Sequence, residues 1–81
     1  MKCAIEIEQR GGTAFKEMQD EIDGVAKKLK IKIVEVGRIG IGPARSISYK
    51  IDATDKSFIK FITILSNLGY FYKVFISAQF S

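Results

Sequence analysis

The strongest constraint on the fold of this chain is the order in which its hydropathy pattern changes period. Apolar and polar residues alternate, as in a strand with one wetted face, over 3 to 9, 32 to 41 and 47 to 52, and from 70 onward. Two intervening segments repeat apolar residues every three or four positions, which is typical of amphipathic helices. The stripes are Phe15, Met18, Ile22, Val25 and Leu29, and then Phe58, Phe61, Ile62, Leu65 and Leu68. The predicted order is strand, helix, strand, strand, helix, strand.

Local signals mark the ends of both helices. Thr13 is expected to cap the first helix, because its hydroxyl can accept a free backbone N–H. Thr54 or Asp55 is expected to cap the second. Gly69 is expected to end the second helix in a left-handed conformation.

The second strand carries an irregular pattern. Ile31 and Ile33 are out of phase with Val34 and Val36, which predicts a β-bulge or a late strand start. The turn residues at 42 to 45, which include a proline, predict a hairpin between the second and third strands.

This order of elements resembles the ferredoxin-like superfamily over essentially the whole length of the chain. The resemblance implies a single α+β domain over residues 1 to 81, with two right-handed crossovers that place both helices on one face of a four-stranded antiparallel sheet. The second and fourth strands would then be the edges of the sheet. Because this fold hosts many unrelated functions, the resemblance concerns architecture only.

Residue inventory excludes several kinds of site. Cys3 is the only cysteine of the 81 residues and there is no histidine, so one copy cannot form an internal disulfide or the usual zinc sites. We therefore expect no metal and no cofactor. The apolar stretches fall short of the roughly 18 residues that span a membrane, and Glu6 follows the start too soon for a signal peptide, so a cytoplasmic location is expected.

A glycine-containing segment before the first helix is a candidate anion loop, formed by Arg10, Gly11, Gly12 and Thr13. Acylphosphatases share this topology and hold a phosphate at the corresponding place. That family also has an asparagine on the second strand, whereas residues 32 to 41 contain none. A simple turn into a capped helix is therefore favoured, and with no histidine we do not expect an enzyme.

Positive charge is concentrated in the middle of the chain, which carries a net charge of +4. This predicts a basic end that contacts an acidic protein or nucleic-acid phosphates, with a merely solvated face as the alternative. RNA-recognition motifs share the topology but expose stacking aromatic residues on the face of the sheet that the helices do not cover. Here the residues expected on that face are Glu6, Glu8, Ser46 and Ser48. The candidate charged contacts are Lys27, Lys28, Lys30, Lys32, Arg38, Arg45 and Lys50.

Surplus apolar residues favour association with another chain. Phe71 and Phe75 make both phases of the fourth strand apolar, and Ile59 and Ile64 lie beside the main stripe of the second helix. The sequence therefore predicts a small non-catalytic binding protein, acting as a homo-oligomer or as an adaptor or inhibitor of a partner protein, with the hairpin from 37 to 45 as a second contact. A nucleic-acid-binding module is the alternative. A small-ligand regulatory domain of the ACT type, which shares the topology, is a second alternative.

Overall fold

The computed structural model describes residues 2–9, 14–40 and 45–76. Its six elements run in the predicted order, and the strands form one sheet with the order β2-β3-β1-β4, antiparallel at every junction. The ferredoxin-like α+β prediction is confirmed, and β2 and β4 end the sheet as expected. The elements are β1 (Lys2–Glu8), α1 (Phe15–Lys28), β2 (Lys32–Ile39), β3 (Ser46–Asp52), α2 (Asp55–Asn67) and β4 (Tyr72–Ile76).

The core lies between one face of the sheet and the two helices. Every second residue of β1 and β3 is buried, so each central strand has one face in the core and one outside it. In α1, Ala26 is buried, whereas the predicted Val25 and Leu29 are only partly buried, because the stripe continues at a spacing of four from Ile22. The buried sheet and helix residues are Cys3, Ile5, Ile7, Ile47, Tyr49 and Ile51, with Phe15, Met18, Ile22, Ala26, Phe58, Phe61 and Leu65.

A β-bulge interrupts β2, as its irregular pattern predicts. Ile33 pairs with Ile51 and Glu35 pairs with Lys50, so Val34 is an extra residue with no partner of its own on β3. Beyond the bulge, Val36 is opposite the buried Tyr49 and returns to the helix side of the sheet. The extra residue shifts the alternation by one position, so Ile33 before the bulge and Val36 after it both lie on the helix side of the sheet.

The helix starts agree with the sequence in one case out of two. Thr54 caps α2 by accepting a hydrogen bond from the backbone N–H of Ser57 at 3.1 Å. The N-cap of α1 is Ala14, which has no side-chain capping bond, so the predicted cap position is wrong by one residue. Thr13 itself lies outside the described residues.

Both helices end in the same hydrogen-bonding motif. In α1, the N–H of Ile31 donates to the carbonyl of Ala26 and that of Lys30 to Lys27, and α2 repeats this pattern at Tyr70 and Gly69. The residue after the C-cap is left-handed in both, with φ of 57° at Lys30 and 84° at Gly69. The predicted role of Gly69 is confirmed, and Lys30 occupies the equivalent position without being glycine.

Candidate association surface

The face of the sheet that points away from the helices, hereafter the open face, is not covered by any described element. Across it, Glu6 lies between Ser48 and Lys73, and Ala4 lies between Lys50 and Phe75. The expectation that β1 and β3 present polar residues here is therefore met. The aromatic residues of this face come from β4 and the residue before it.

Two of those aromatic side chains are largely exposed. Phe71 is 76% exposed and Phe75 is 47% exposed, on the same face of the sheet. The backbone N–H of Glu8 donates to the carbonyl of Phe71 at 2.9 Å, which continues the pairing of β1 with β4 and anchors Phe71 beside Glu8. A depression of about 300 Å³ lies against this ring, and its lining residues are Glu6, Glu8, Ser46, Phe71, Tyr72 and Lys73.

The four residues predicted to contact a partner do not form one surface. Ile59 is 59% exposed and Ile64 is half-buried, and both lie on α2, in the helix layer. Phe71 and Phe75 lie on the opposite side of the sheet. A single flat contact can therefore include one pair or the other.

Three further exposed apolar residues lie on β2, and of these only Ile39 belongs to a contact predicted from the sequence, the hairpin from 37 to 45. Val34 is 59% exposed, Val36 is 40% exposed and Ile39 is 44% exposed. Ile39 is opposite Ser46 on the open face, Val34 is the extra residue of the bulge, and Val36 lies on the helix side at the edge of the sheet. The irregular alternation of this strand was the signal available in the sequence.

The predicted basic cluster divides into two groups at opposite ends of β2. Lys27, Lys28, Lys30 and Lys32 are all exposed around the end of α1 and the start of β2. Arg38 lies six residues along the strand from Lys32, about 20 Å away at the usual rise per residue. Arg45 precedes β3 on that far side, and its carbonyl accepts from the N–H of Gln9 at 2.8 Å.

Two of the predicted charged contacts are engaged within the chain. The Arg38 guanidinium stacks over the ring of Phe15, 4.8 Å from its centroid, on the helix side of the sheet. Lys50 pairs with Glu35 at 3.1 Å on the open face. Since both partners of that pair are well exposed, it contributes little to stability.

The buried tyrosines are tied to acidic residues of α1. The Tyr49 hydroxyl donates to Oδ1 of Asp23 at 3.0 Å, and the Tyr70 hydroxyl donates to Oε1 of Glu21 at 2.6 Å. Burial raises the pKa of Tyr49 well above its usual value, and the hydrogen bond to Asp23 raises it further. Tyr49 is thus held as a neutral hydrogen-bond donor to Asp23.

The described residues cover the remaining points of the sequence analysis only in part. Burial raises the pKa of the Cys3 thiol, which keeps it protonated. Within residues 2–9, 14–40 and 45–76, no group of three cysteine or carboxylate side chains is placed to hold a metal ion. The candidate anion loop, Arg10 to Thr13, lies outside these residues. In the same ranges neither helix has the length and apolarity to cross a bilayer.

Comparison with known proteins finds chains of similar fold but identifies no function. No protein-family model and no curated protein matches the chain. A de novo designed protein, Foldit4, is similar with a TM-score of 0.70 and 10% identity, covering 96% of each chain. An ACT domain protein from Streptococcus pneumoniae has a TM-score of 0.69 and 14% identity, covering 100% of this chain and 94% of that one.

A further solved structure is the ACT domain of a GTP pyrophosphokinase from Chlorobium tepidum, with a TM-score of 0.56 and 20% identity over 98% of this chain and 90% of that one. At these identities the likeness concerns the backbone. A designed protein matches as well as a natural ACT domain does, so the shared fold carries no activity with it.

Proposed function

We propose that the chain is a small non-catalytic binding module that associates with a second copy of itself through the open face along β4. The observation that carries this proposal is the pair of exposed rings, Phe71 and Phe75, on one face of the sheet. Aromatic side chains grouped on a surface are typical of contacts between proteins, because their burial removes a large apolar area from water.

The charges of the open face favour a second copy as the partner. By register, the described strands place four lysines and four carboxylates on it, so their formal charges cancel, although the whole chain carries +4. Two such faces meet without net repulsion and can pair unlike charges across a two-fold axis. The residues are Lys2, Lys32, Lys50 and Lys73, with Glu6, Glu8, Glu35 and Asp52.

The residue inventory supports a non-catalytic role. General acid and base catalysis at neutral pH most often uses histidine, and the sequence has none. The buried tyrosine hydroxyls are used as structural donors to Asp23 and Glu21.

Light scattering coupled to size-exclusion chromatography tests this proposal. We expect a concentration-dependent dimer that Phe71→Asp and Phe75→Asp each convert to monomer, because each buries a charge in the contact. Ile59→Asp is the matched control, since Ile59 is comparably exposed but lies in the helix layer. Circular dichroism confirms that each variant is folded. A monomer at every concentration, or a dimer disrupted only by Ile59→Asp, would contradict the open-face contact.

A small-ligand regulatory module of the ACT type is a second candidate, favoured by the two ACT-domain neighbours and by the depression beside Phe71. That depression combines carboxylates, an amine and an aromatic ring, which suit a small zwitterion. Thermal-shift measurements with a panel of free amino acids test it. The candidate predicts a ligand-dependent rise in melting temperature that Glu6→Gln abolishes and Glu17→Gln, on the exposed side of α1, preserves. No shift with any member of the panel would count against it.

A further inference from the structure

Five lysines gather at one end of the molecule. Lys27 and Lys28 lie in the last turn of α1, Lys30 follows the helix, and Lys32 begins β2. Lys2 joins them because Asp52 pairs with Lys32 on one side and with Lys2 on the other, which places the two lysines two strands apart, about 10 Å. We call these five residues the lysine cluster.

None of the five lysines has an ion pair within 4 Å to another described residue, although Asp52 lies between Lys2 and Lys32 in the sheet. The pair of Lys50 with Glu35 on the open face involves none of them. All five side chains are exposed to solvent. Their charges are therefore available to an external partner.

The helix dipole accounts for only part of the lysine cluster. Positive charge is favoured in the last turn of a helix, which explains Lys27 and Lys28. It does not explain Lys30, which lies beyond the last turn. The backbone of Lys30 is left-handed, with φ of 57°, a conformation that residues other than glycine adopt at a cost. The equivalent position after α2 is Gly69. A lysine therefore occupies a position whose backbone conformation glycine would adopt without that cost.

We propose that the lysine cluster binds the phosphate backbone of a nucleic acid without reading its sequence. Lysine is depleted from contacts between proteins but supplies phosphate contacts in complexes with nucleic acids. The lysine cluster contains no arginine fork and no aromatic ring that would stack on a base, so its contacts go to phosphates, which position a nucleic acid without specifying sequence. Lys27, Lys28 and Lys30 lie at the end of the helix layer, away from the rings of Phe71 and Phe75. Lys2 and Lys32 are shared with the open face, so the test is made at Lys30.

Fluorescence anisotropy of a labelled single-stranded oligonucleotide of mixed sequence, titrated at several salt concentrations, tests the proposal. Five phosphate contacts predict that log K falls against log salt with a slope of about −3.5. Lys30→Gly removes one contact, so we expect weaker binding and a slope smaller in magnitude by about 0.7. The same variant should raise the melting temperature, because glycine relieves the left-handed backbone, so weaker binding cannot be attributed to unfolding.

The control is Lys16→Gln, which removes the same charge at the other end of α1, about 20 Å away along the helix axis. We expect it to leave the slope unchanged within error. No anisotropy change at low salt would overturn the proposal, as would equal losses from Lys30→Gly and Lys16→Gln. Binding of polyglutamate in place of the oligonucleotide would also overturn it and would indicate an acidic protein as the partner.

Discussion

At the scale of single residues, the two helix ends show how one backbone requirement is met by different side chains. Gly69 could be predicted from the sequence, because glycine after an apolar helical stripe is a common termination signal. Lys30 could not, because the same left-handed conformation is there imposed by hydrogen bonds from Lys30 and Ile31 back to the last turn of α1. Tertiary packing of the buried Ile31 overrides the local preference.

Substitutions of the left-handed residue after each helix should change stability in opposite directions. Lys30→Gly should stabilise the fold by about 1 kcal/mol, and Gly69→Ala should destabilise it by a similar amount. A Cβ on Gly69 meets no atom within 4 Å, so the loss comes from the backbone conformation and not from a clash. Urea denaturation measures both. A stabilising Gly69→Ala would show that the left-handed conformation is not required there.

The hydrogen bond from Tyr49 to Asp23 should give the fold a specific dependence on pH. The pKa of Tyr49 is raised in the folded state, so its contribution is complete below the unfolded pKa of about 10 and is lost as pH rises above it. Tyr49→Phe should cost about 1 kcal/mol at neutral pH. It should also flatten the loss of stability above pH 10, measured by urea denaturation across alkaline pH. An unchanged alkaline slope in the variant would contradict this assignment.

At the scale of elements, the central strands could be predicted from the sequence and the edge strand only in part. β1 and β3 each bury one face, so the alternating pattern determines which residues face the core, for example Ile5 and Ile7 in β1 and Tyr49 in β3. β2 has a neighbour on one side only and leaves Val34 and Val36 exposed. Burial therefore does not decide which of its residues face the core. Pairing with β3 decides where the bulge falls.

Deleting Val34 should therefore be tolerated better than deleting Val36. Without Val34, Ile33 and Glu35 become neighbours and still face Ile51 and Lys50, so the ladder becomes regular and no side chain changes face. We expect a stability within about 1 kcal/mol of the parent chain.

Deletion of Val36 is the control. Either Glu35 or Gly37 must then take its place opposite Tyr49, with a further loss of about 1 kcal/mol from apolar burial. Urea denaturation of the two deletions compares them. Equal losses would show that the bulge is not confined to Val34.

At the scale of the whole molecule, the sequence predicts surplus apolar and basic residues but not how they divide over the surface. Phe71, Phe75 and Ile59 are exposed, yet they lie on opposite sides of the sheet, because strand alternation and helix packing decide their directions independently. The basic residues likewise separate along β2, which places Lys32 and Arg38 at opposite ends. These divisions depend on contacts between distant segments, which a single sequence does not display.

NMR of a mixture of isotope-labelled and unlabelled protein detects contacts between chains and so tests the open-face association directly. The open-face contact predicts nuclear Overhauser effects between chains that involve the rings of Phe71 and Phe75, and none that involve Ile59. Because the spectra identify the touching side chains, no substitution is needed. Interchain effects confined to Ile59 and its neighbours on α2, or their complete absence at millimolar concentration, would contradict the open-face contact.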